Sequence, residues 1–63
     1  MKAGDLVQTI GDNMDFPEGS LGVLVSQVPQ PEGYDAWHIL MAGTSKPKVW
    51  VTMNSGTPTV EVV

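Results

Sequence analysis

Residues 34–53 read YDAWHILMAGTSKPKVWVTM, and this stretch decides the fold. Two runs rich in β-branched and aromatic residues, 34–42 and 48–53, flank a short segment of Gly, Thr, Ser, Lys and Pro. β-branched and aromatic side chains suit a pleated surface. Gly and Pro interrupt it. The stretch therefore reads as a β-hairpin whose turn is centred on Thr44-Ser45. In that register Leu40 opposes Val49, Ile39 opposes Trp50 and His38 opposes Val51. Side chains alternate across a strand. One face then holds Ala36, His38, Leu40, Val49 and Val51. The other holds Trp37, Ile39, Met41 and Trp50, with Lys48 and Thr52 at its ends.

Both faces of this hairpin are apolar, yet only one face of a small domain's wall can point inward. An apolar face is left outside whichever one is core. A register slip of one residue would reshuffle the two sets. Trp and Met are enriched in interface cores, so Trp37, Ile39, Met41 and Trp50 are the expected protein-interface residues. The competing reading places Trp37 and Trp50 in the core, or beneath the long first loop through Met14 and Phe16.

The same punctuation divides the rest of the chain. Seven Gly and five Pro recur at short intervals, and Val dominates the aliphatic residues. No stretch of ten residues shows helical periodicity. Five strands are expected, at 4–10, 19–28, 34–42, 48–53 and 59–63. A long polar loop follows the first, and residues 54–58 have room for a single 3₁₀ turn. In the second strand, Gly22 sits where a Gly marks a close approach or a bend. In the last, Val60 and Val62 share a face and Glu61 points to solvent, beside the first strand. Five short strands with Val-rich edges suit a closed barrel, since closure removes edges that invite aggregation.

At 63 residues the chain is expected to be one domain, spanning 1–63. So short a chain buries only about 60% of its unfolded surface. It has no Cys, which excludes disulfides and thiolate zinc sites. His38 is the sole His, so no metal site is expected. The polar stretch Gly11, Asp12, Asn13 and Asp15 reads as a turn rather than a cation site. The only plausible catalytic base is His38, mid-strand between Trp37 and Ile39, and the seven acids mostly fall in turns. No catalytic residue, no cofactor and no enzymatic activity are expected.

The formal charge is −4, with three Lys and no Arg. Phosphate backbones are held by Lys and Arg, so nucleic acid is a disfavoured partner. Charged residues make up 16% of the chain, against about 25% in an average soluble domain. So few charges suggest a surface that spends its life covered. No apolar run is long enough to span a bilayer, and the N-terminus lacks a signal-like segment. The expected location is a virion or a host cytoplasm.

Gly4-Asp5-Leu6-Val7 and Gly19-Ser20-Leu21-Gly22-Val23-Leu24-Val25 resemble the first two strands of SH3-like and KOW-type barrels. Ile39-Leu40-Met41, a Gly turn, Val49-Trp50-Val51 and a closing Val60-Glu61-Val62-Val63 resemble the small SH3-like barrel proteins of tailed, often marine, bacteriophages. The resemblance implies an all-β, five-stranded SH3-like barrel with a long first loop. It also implies a non-enzymatic interaction or structural module, such as a phage capsid decoration protein or another virion component. The partner would be protein, either a larger assembly such as a capsid or tail, or a second copy in a homo-oligomer. The alternatives are a KOW- or Tudor-like nucleic-acid-binding domain, for which the chain lacks basic loops, and an auxiliary subunit of a photosynthetic or ribosomal complex.

Overall fold

The computed structural model describes residues 1–11 and 15–63. The domain is all-β. Its strands are β1 (Leu6–Thr9), β2 (Leu21–Val28), β3 (Asp35–Met41), β4 (Lys48–Asn54), β5 (Thr57–Pro58) and β6 (Val60–Val62). They form one antiparallel sheet in the order β5-β4-β3-β2-β1-β6. Among the described residues there is no helix.

β5 and β6 lie at opposite ends of this order, yet only Thr59 separates them along the chain. Thr59 belongs to both edges. Its N–H donates to the Thr52 carbonyl at 2.9 Å on the β4 side, and its carbonyl accepts from the Ile10 N–H at 2.8 Å on the β1 side. Its hydroxyl donates to the Val51 carbonyl. The sheet therefore curls until its two edges meet at one residue. Strand twist favours such curling, and β-bulges increase it. The register shifts between Leu24 and Ser26 in β2 and again beside Asp35 in β3. No pairing joins β5 to β6, so the sheet is not closed, and it has six strands where the sequence suggests five.

The extra strand comes from the segment expected to hold a 3₁₀ turn. Asn54 instead pairs with Thr57, leaving Ser55 and Gly56 as a two-residue turn. Both have positive φ, 51° and 80°. Two positive φ values in succession are the requirement of a type I′ hairpin turn. Gly accepts that geometry without strain, and Ser55 is further held by a 2.9 Å hydrogen bond between its hydroxyl and that of Tyr34.

The core lies on the concave side. Val7, Leu24, Trp37, Ile39, Met41 and Val60 form one buried cluster, with Phe16 and Trp50 packed against it. Thr9 and Thr52 are buried beside them. Gly22 lies on this side too, opposite Val7 and Met41. A Cβ there would stand 2.7 Å from Ile39 Cγ2 and 2.8 Å from Met41 Sδ. The glycine is therefore where two core side chains cross the β2 backbone, as its place in the strand suggested.

The long first loop is tied down by Thr9. Thr9 and Ser20 pair through their backbones, and Gly19 N–H donates to the Thr9 carbonyl at 2.9 Å. The Thr9 hydroxyl donates to the Pro17 carbonyl at 3.0 Å and accepts from Ser20 N–H at 3.1 Å. This clamp presents Phe16 to Trp50, with ring centroids 5.6 Å apart and planes tilted by 56°. Lys48 Nζ sits 5.2 Å from the Phe16 ring centre and reaches Asp15 at 3.3 Å. Phe16, one of the two loop residues expected to cover Trp50, does so. Asp12, Asn13 and Met14 lie outside the described residues, and with them most of the polar stretch at 11–15.

Candidate functional site

The hairpin register is Ile39↔Lys48, Trp37↔Trp50 and His38↔Val49. This differs by two residues from the expected pairing, because the turn centres one residue earlier, between Gly43 and Thr44. A slip of two leaves every side chain on its expected face. The two face sets of the hairpin therefore stand as read from the sequence.

The structure decides which face is inside. Trp37, Ile39 and Met41 are 7%, 0% and 2% exposed, and Trp50 is half-buried under Phe16. The expected interface of Trp37, Ile39, Met41 and Trp50 is thus brought together, but as the core of the chain itself. The physical reason is size. Aromatic side chains bury the most surface per residue, and a domain this small has few other ways to build a core.

The opposite face is left largely to water, with Ala36 buried and His38 half-buried on it. Leu6, Val23 and Leu40 form one cross-strand row over β1, β2 and β3. Leu21 pairs with Gln8 beside them, and Val49 and Val51 continue the face on β4 opposite His38 and Ala36. Leu6, Leu21, Val23, Leu40, Val49 and Val51 each keep between 37% and 57% of their surface exposed. A groove of about 360 Å³ runs through the β1–β3 end, lined by Leu6, Leu21, Val23 and Leu40 and by the small residues Gly22, Ala42 and Gly43. Val49, the most exposed of the six, lies outside the groove's lining.

Electrostatically this face is bare. Glu61 marks its β6 end and is held by a hydrogen bond from Gln8 Nε2. His38 is half-buried within it. Three steps in the strand order separate β3, which carries His38, from β6, which carries Glu61. The Lys48–Asp15 pair lies on the core side, against the loop. Among the described residues no three His, Asp or Glu side chains converge as a metal site would require.

Leu6, Leu21 and Val23 were not singled out from the sequence. The signal was there in the alternation of Leu6-Val7-Gln8-Thr9 and Leu21-Gly22-Val23-Leu24. In both, the residue just before buried Val7 or Leu24 in sequence, which faces the other way, is itself aliphatic: Leu6 and Val23. The chain is a small all-β domain with an aliphatic outer face. No family model, no curated protein and no solved structure matches it.

Proposed function

We propose that this chain is a non-enzymatic protein-interaction or structural module that works through the outer face of its sheet. One observation carries the reading. Six large aliphatic side chains stay exposed on one nearly uncharged face, while both Trp side chains turn inward. Scattered apolar residues on a surface need no explanation, but a contiguous patch of this kind marks a contact surface. Sheet faces meet about 10 Å apart with aliphatic residues interdigitating, and Leu and Val on alternate positions suit that packing.

The curled sheet is read as an SH3-like barrel whose last strand is divided at Thr59. The strand order, the long loop after β1 and the meeting of both edges at Thr59 support this. In the setting that the sequence resemblance suggests, a tailed bacteriophage, the module is a virion component such as a capsid decoration protein. A uniform, charge-poor contact face suits a subunit held in a permanent assembly.

The test is to express Val23→Lys and wild-type protein at native level in the source cells and to size the native extracts. Wild-type protein should travel in a larger assembly, and the folded variant should leave it. A variant that stays in the assembly would remove the outer face from the account.

A further inference from the structure

We draw no further inference here: the strongest candidate, the aliphatic groove on the outer sheet face lined by Leu6, Leu21, Val23 and Leu40, belongs to the contact face already described, and nothing in the structure shows what covers it.

Discussion

Replacing Gly22 by Ala tests how tightly the curled sheet is packed. The added Cβ would meet Ile39 Cγ2 at 2.7 Å, Met41 Sδ at 2.8 Å and the Leu40 carbonyl oxygen at 3.2 Å. Met41 has a flexible side chain and can move its sulfur aside. Ile39 Cγ2 is fixed on a β-branched carbon with little rotamer freedom. The carbonyl belongs to a paired strand. So one of three neighbours yields easily and two do not. Overpacking of this kind costs about 1–3 kcal/mol. Losing glycine's extra freedom in the unfolded chain returns about 0.5–1 kcal/mol. The net expectation for Gly22→Ala is a loss of about 1 kcal/mol, and at most about 2.5 kcal/mol. In a domain of this size each kcal/mol moves the melting temperature by roughly 4–8 °C. Thermal and urea unfolding should both register the loss, and Gly22→Val should lose more. In an Ile39→Leu background, which lacks Cγ2, the penalty for Gly22→Ala should shrink. A Gly22→Ala protein as stable as wild type, or more so, would refute the close packing of β2 against β3.

Two threonines should respond oppositely to the same change. Thr52 is 1% exposed and its hydroxyl has no hydrogen-bond partner among the described residues, so Thr52→Val should stabilise the fold by about 1 kcal/mol in urea titration. Thr9→Val removes the hydroxyl that clamps Pro17 and Ser20, and should cost about 1–3 kcal/mol while loosening the loop against Trp50. Trp50→Asp should unfold the protein, because the charge would be placed under Phe16, whereas Val49→Asp should keep the native circular dichroism spectrum. Deleting residues 59–63 removes buried Val60 and the three hydrogen bonds of Thr59 to the two edges, and the truncated chain should show no cooperative unfolding transition.

Much of this architecture was legible in the residues. The strands around Leu6, Leu21, Ala36, Val49 and Val60 follow from Val-rich runs between Gly and Pro. The two face sets of the hairpin followed from alternation, and survived a register error because that error was even. The I′ turn at Ser55-Gly56 was missed because a positive φ at Ser55 is a demand of the paired strands, and Ser-Gly does not announce it. The bulge at Val25 left no mark, since a β-branched aliphatic fits a regular strand equally well. Inside and outside could not be told apart along the hairpin, where both faces are apolar. That choice is made by elements distant in sequence: Phe16 descends on Trp50, and Val7 and Val60 arrive from the other end of the sheet.

The most direct test of the outer-face account is methyl NMR with a soluble paramagnetic agent, read on assigned Leu and Val residues at low protein concentration. At low concentration Leu6, Leu21, Val23, Leu40, Val49 and Val51 should be strongly broadened, and Val7, Leu24 and Val60 should be protected. Leu6, Leu21, Val23, Leu40, Val49 and Val51 methyls that are as protected as those of Val7, Leu24 and Val60 would contradict the account.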